Sequence, residues 1–225
     1  MTDAIATEPR TPAPAPPPAD VSAGRLLAVL GIGGAVAGIL LVVVFFLTLP
    51  AIEANRAKDL QEAVAEVLKG PERYDTLYVV GDGLVKEAPA GTDRKALEQV
   101  YLGYGPGNQP LGFALVAEEP GFQDMVRVIF GYDARSKRVI GMKVLESKET
   151  PGLGDKIQKD QAFVGQFAGA EPPLVGVKGG KRSTPREVTT ITGATISSRA
   201  VIRIINNAVK RLGPMLEAYA PEGGR

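Results

Sequence analysis

The sequence predicts an α+β protein: one N-terminal transmembrane helix, then a single soluble domain in which helices pack against a mostly antiparallel sheet. Three observations predict it. Residues 26–49 carry no charge and are numerous enough to cross a hydrocarbon core as a helix. Between residues 76 and 147, five short apolar segments alternate with Gly, Pro, Asn and Asp. From Ile196 onward, apolar residues recur at helical spacing almost to the end of the chain.

The elements follow in order. Residues 1–24 contain PRTPAPAPPPAD. Proline fixes φ and removes backbone donors, so this tail is expected to be an extended or disordered spacer rather than a proline-rich ligand. Residues 25–49 form the span. Of the 24 residues from 26 to 49, 16 are Leu, Ile, Val or Phe. At roughly 0.4 kcal/mol each, they favour insertion by several kcal/mol. A buried core helix would need a polar-free surrounding on every face. A cleaved signal sequence would be shorter, with a more basic start. Gly31, Gly33, Gly34 and Gly38 either give partner helices a close-packed face or are neutral, and the pattern does not choose. Arg25 on one side, and Arg56 with Lys58 on the other, are too few to orient the span by charge.

Residues 50–70 read as a connecting helix. Leu60, Ala63, Val64, Val67 and Leu68 lie on one face, and Gly70-Pro71 ends it. Residues 71–220 form the domain, with strands expected at TLYVV, VYLGYG, LGFALVAEE, MVRVIFGYD and RVIGMKVLES. The last two, joined by ARSK, predict a β-hairpin. DKIQKDQAFVGQFAG predicts one helix with Ile157, Phe163, Val164 and Phe167 inward. EPPLVGVKGGKRSTPREV predicts loop, with a short strand at its Leu-Val-Gly-Val. A final helix covers residues 196–219, and residues 221–225 are a C-terminal tail.

Composition narrows the chemistry. The chain has no Cys and no His, which removes Cys-ligated clusters, the usual zinc sites, His-ligated haem and a Ser-His-Asp triad. A net charge of +1 argues against a nucleic-acid footprint. Two stretches remain. In TTITGATISSRAV, Thr195 is expected at the N-cap of the final helix. The free N–H groups and the positive end of the helix dipole make such a place a seat for phosphate. Ser197 and Ser198 offer hydroxyl donors in the first turn, and Gly193 with Ala194 permits close approach. From the residues alone, an ordinary helix start is favoured over a seat for any named cofactor. In ESKETPGLGDKI, Gly152 and Gly154 around Leu153 let backbone approach a flat ligand, although this spacing is not that of a Walker A or dinucleotide-binding loop. Glu149, beside Lys148, is expected to be solvated.

ITGATISSRAV and ETPGLGDKI, in this order and behind one membrane helix, resemble the FMN-binding domain of the G component of the Rnf electron-transport complex. They are also similar to the C component of the Na+-translocating NADH:quinone reductase. The resemblance covers roughly residues 31–219, including LPAIEANRA and GFQDMVRVIFGYD. It implies FMN held covalently, by a phosphodiester to the last threonine of a Ser/Thr-Gly-Ala-Thr motif. That threonine is Thr195 here, with Thr192, Gly193, Ala194, Ser197 and Ser198 around it. Glu149, Thr150, Gly152, Leu153 and Gly154 are the implied secondary contacts. Two positions depart from the family pattern. Thr189 stands where an acid often precedes the motif, which bears on recognition by a flavin transferase. Lys148 stands where His often precedes Glu-Thr-Pro, which bears on flavin potential or docking.

The resemblance further implies an electron carrier with no catalytic residue and no metal of its own. It would sit in the bacterial inner membrane as a single-pass protein with its flavin domain on the periplasmic side. The implied partners are membrane lipid, a flavin transferase using FAD and Mg2+, and other membrane subunits. Those subunits relay electrons between ferredoxin and NAD+, coupled to ion translocation. Two other readings compete: a stand-alone flavinylated carrier serving another reductase, and a non-redox membrane-anchored scaffold subunit.

Overall fold

A computed structural model describes residues 22–94, 96–180 and 182–219. The expected tails, apart from residues 22–24, lie outside the described residues. The chain divides into two units, Met1–Glu53 and Ala54–Arg225.

The described part of the first unit is helical. Helix α1 is Ala23–Val67 and contains Pro50. From residue 22 to residue 48 every side chain is exposed, Leu27 at 71% and Leu47 at 73%. Water does not tolerate a continuous apolar surface of this kind, and the helix is long and apolar enough to cross a membrane. The expected span and connecting helix therefore fall within one helix.

The second unit begins with the last part of α1. Six strands follow: β1 (Arg73–Val80), β2 (Gly83–Val85), β3 (Gln99–Tyr104), β4 (Pro110–Pro120), β5 (Met125–Asp133) and β6 (Arg138–Ser147). They form one sheet in the order β2-β1-β3-β4-β5-β6, and every pairing is antiparallel. Two single helical turns come next, α2 (Lys156–Lys159) and α3 (Gln161–Val164), and a 3-10 turn at Gly165–Phe167. Strands β7 (Val175–Lys178) and β8 (Glu187–Thr190) pair in parallel as a small second sheet. Helix α4 (Thr195–Ala218) closes the domain.

Period-two alternation along the strands fills both faces of the large sheet. Val100, Leu102, Phe113, Leu115, Val128 and Phe130 join the core formed with α4. Tyr101, Ala114 and Ile129, on the opposite face, join Ala63, Val64, Val67 and Leu68. On α4, Val201, Ile204, Ile205 and Leu212 are almost fully buried. Each contributes roughly 1.5–3 kcal/mol of apolar burial. Polar side chains on the same helix fasten it to the sheet. Arg203 Nε donates to Glu119 Oε2 at 2.6 Å, Asn207 Nδ2 to Glu119 Oε1 at 2.7 Å, and Arg211 makes two 2.6 Å bonds to Glu98.

The structure departs from the expected elements in three places. β2 was not expected, and β8 was expected as loop; they are three and four residues long, too short for a periodic signal. The expected helix through DKIQKDQAFVGQFAG is broken at Asp160, which has extended backbone (φ −79°, ψ 98°) and caps a new turn with its own carboxylate. Finally, α4 has Ala194 as its N-cap (φ −130°, ψ 31°), so Thr195 is the first helical residue rather than the cap.

Candidate functional site

The start of α4 is shaped by its approach. β8 leads in, with its backbone held by Gln166: the Thr189 N–H donates to Gln166 Oε1 at 2.7 Å, and Gln166 Nε2 donates to the Thr189 carbonyl at 3.2 Å. Thr189, standing where the family pattern often has an acid, uses its hydroxyl on the Gly180 carbonyl at 3.4 Å. The turn Thr192-Gly193 is exposed, and Gly193 has φ +84°, a conformation that glycine adopts without strain. Ser198 closes the turn. Its Oγ donates to the Ala194 carbonyl at 2.8 Å and accepts the Ile191 N–H at 3.1 Å.

Thr195 is half-buried, not sealed in the interior. The first backbone bond of the helix runs from the Ser198 N–H to the Ala194 carbonyl at 2.9 Å. The N–H groups of Thr195, Ile196 and Ser197 precede it and find no acceptor among the described residues. Ala194 contributes no capping side chain. These donors and the dipole of a 24-residue helix point the same way, toward an anion. Arg199, exposed and one turn along, adds positive charge.

The serines are a correction to the sequence reading, which offered their hydroxyls as ligand donors. Both side chains are buried and occupied by protein. Ser197 Oγ donates to Glu149 Oε2 at 2.6 Å, and Ser198 is committed to the turn. Of the two, only the Ser197 backbone N–H is left without an acceptor among the described residues.

Glu149 is a second correction. It is 4% exposed, whereas its neighbour Lys148 is exposed and pairs with Asp124 at 3.3 Å. Glu149 Oε1 accepts the N–H groups of Phe122 at 2.8 Å and Gln123 at 3.1 Å, both on the β4–β5 turn. Burial alone would push this carboxyl up. The hydrogen bonds from Ser197 and from the Gln123, Phe122 and Asp124 backbone outweigh it and hold the group below the usual carboxylate range.

The Gly-Leu-Gly loop packs onto this carboxylate. A Cβ on Gly154 would lie 2.7 Å from Glu149 Cβ and 3.1 Å from Ser197 Oγ, so Gly154 makes room for Glu149, not for a ligand as its spacing suggested. A Cβ on Gly121 would strike Glu149 Oε1 from the other side. Gly152 has φ +77° and open space around it. The Thr150 hydroxyl donates to Gln123 Oε1 at 3.1 Å. Leu153 is 49% exposed and reaches Gly193, its Cδ2 lying 3.4 Å from where a Cβ there would sit.

Three loops therefore meet: the β4–β5 turn, residues 149–155, and the start of α4. Each carries an exposed apolar side chain, namely Phe122 (66%), Leu153 (49%) and Ile196 (56%). Exposed apolar groups beside free N–H donors suit a ligand with a flat aromatic part and a phosphate, and FMN has both. Phe122, Gln123 and Arg199 lay within quoted stretches but were not among the expected site residues. The Pro-Gly turn before Phe122 was its one local signal. A cleft of about 820 Å3, lined by Glu98, Gln99, Tyr101, Glu119, Asn207 and Arg211 among others, lies further along α4, beginning at Ile204.

Known proteins resemble this chain in sequence and in fold. The FMN-binding domain family matches residues 121–210, a span that includes all three loops. The G component of the ion-translocating oxidoreductase complex of Vibrio vulnificus is 32% identical over 169 residues, covering 73% of this chain and 77% of the relative. The G component of the Na(+)-translocating ferredoxin:NAD(+) oxidoreductase complex of Acetobacterium woodii is 31% identical over 192 residues, covering 83% and 89%. The crystal structure of Shewanella oneidensis NqrC superposes with a TM-score of 0.61 at 16% identity, over 74% of this chain and 100% of that one, a likeness of fold alone. With these identities over most of both lengths, the chain belongs to the family of G components of Rnf-type ion-translocating oxidoreductase complexes.

Proposed function

We propose that this chain is a membrane-anchored electron-transfer subunit that carries FMN on the Thr195 hydroxyl through a phosphodiester. The observation that carries this reading is the meeting, at one exposed turn, of a half-buried threonine with three backbone N–H groups that have no acceptor among the described residues. FMN, when bound, supplies the one- and two-electron chemistry that a chain without Cys or His lacks. The chain's own part is placement. The N–H groups of Thr195, Ile196 and Ser197 would hold the phosphate. Leu153, Ile196 and Phe122 would give the ring apolar contact and limit water around it. Residues 25–49 are the span, 50–70 the connecting helix and 71–220 the flavin domain.

The names of the relatives support a place in a multi-subunit complex that moves electrons between ferredoxin and NAD+ with ion translocation. The domain would lie on the periplasmic side of the inner membrane. There a covalent bond prevents loss of the cofactor, and a flavin transferase would install it. Co-expression with such a transferase followed by intact-mass measurement tests the assignment. The wild type is expected to gain one FMN. Thr195→Ala is expected to lose that mass and the in-gel fluorescence completely, and Thr192→Ala only to reduce them. A covalent flavin on Thr195→Ala would overturn the site.

A further inference from the structure

We propose that Glu149 is a positioning residue that holds the first turn of α4 in register with the other two loops and places a fixed negative charge behind the Thr195 turn. This rests on the reading of Thr195 as the flavin attachment point. Three observations lead to it. The carboxylate is buried, yet its donors are neutral: two backbone amides on the β4–β5 turn and the Ser197 hydroxyl. Two glycines, Gly121 and Gly154, are each required by its bulk, so the surroundings are built around it. Ser197 is the third residue of α4. Its hydroxyl donates to Glu149 Oε2 at 2.6 Å, which ties the first turn of the helix to the loop that carries Glu149.

A buried carboxylate that stays ionised has electrostatic consequences. In a medium of low polarisability its charge acts strongly on nearby groups. It opposes the addition of an electron to a flavin at this turn and so holds the potential down. It also leaves a mark on the protein without cofactor. The folded-state pKa lies below the ordinary value, so the group's stabilisation is complete above the unfolded pKa and is lost as pH falls through the folded one. The other charged side chains on the enclosing segments are Asp124 and Lys148, paired at 3.3 Å, Asp155, paired with Lys159 at 2.7 Å, and Arg199.

The test uses the full chain in nanodiscs, with and without flavin, and compares wild type, Glu149→Gln and Ser197→Ala. In the flavin-free protein, NMR titration of carboxyl carbons is expected to find Glu149 titrating below its ordinary value, and to find it moved upward in Ser197→Ala. In the flavinylated protein, Glu149→Gln is expected to load within about twofold of wild type and to shift the midpoint potential positive. A Glu149 that titrates normally, or a Glu149→Gln protein with the wild-type potential, would overturn the proposal. If wild type itself takes no flavin, the attachment reading fails, and the flavin-free titration still decides whether Glu149 is held by Ser197.

Discussion

Two helices of the same domain begin in opposite ways. At α3, Asp160 turns its carboxylate onto the helix it precedes, accepting the N–H groups of Ala162 at 2.9 Å and Phe163 at 3.2 Å. At α4, the residue in the same place is Ala194, which offers nothing, and the two serines that follow are drawn to Glu149 and to the Ala194 carbonyl. The four-residue helix has two of its first N–H groups capped by Asp160, while the 24-residue helix has no capping side chain. An uncapped terminus costs about 1 kcal/mol relative to a capped one. The long helix tolerates that cost because its body is buried and is pinned by Arg203, Asn207 and Arg211. The contrast separates a terminus that its own cap closes from one that, on the proposed reading, is left open for a phosphate.

Substitutions that break the contrast follow, in order of expected effect. Gly154→Ala pushes a methyl against Glu149 and Ser197, and is expected to destabilise the domain by about 1–3 kcal/mol in denaturant unfolding. It is also expected to lower flavin loading, because the seat itself is displaced. Asp160→Ala is expected to cost about 1 kcal/mol by the same measurement and to leave flavin loading unchanged, since this cap serves only α3. Ala194→Ser sharpens the comparison by giving α4 the acceptor it lacks. The flavin-free protein is expected to gain up to about 1 kcal/mol, while loading slows as the new hydroxyl competes for the same N–H groups. If Ala194→Ser speeds loading, the two termini do not differ in the way described.

The sequence disclosed some of this and hid the rest, for physical reasons. The β5–β6 hairpin was legible because Val126, Val128 and Phe130 alternate and ARSK supplies a turn. Helix α4 was legible from one apolar stripe. The break at Asp160 was hidden because Ile157, Phe163 and Phe167 reach the core from separate turns at spacings that also fit a single helix. β2 and β8 were hidden by their length. The Thr195 turn was readable as a helix start, but its cap was placed one residue late, since Ala194 carries no capping signal. The burial of Glu149 was missed. Its local context, Ser-Lys-Glu-Thr, is polar, and the groups that bury it lie 26, 27 and 48 positions away.

That last separation has a consequence for biosynthesis. A hydroxyl and a carboxylate 48 positions apart come together only after the sheet has formed and the terminal segment has docked on it. A partly translated or misassembled chain presents the same threonine in a different shape. On the proposed reading of Thr195, an enzyme that recognises the assembled turn would act as an inspector of completed folding.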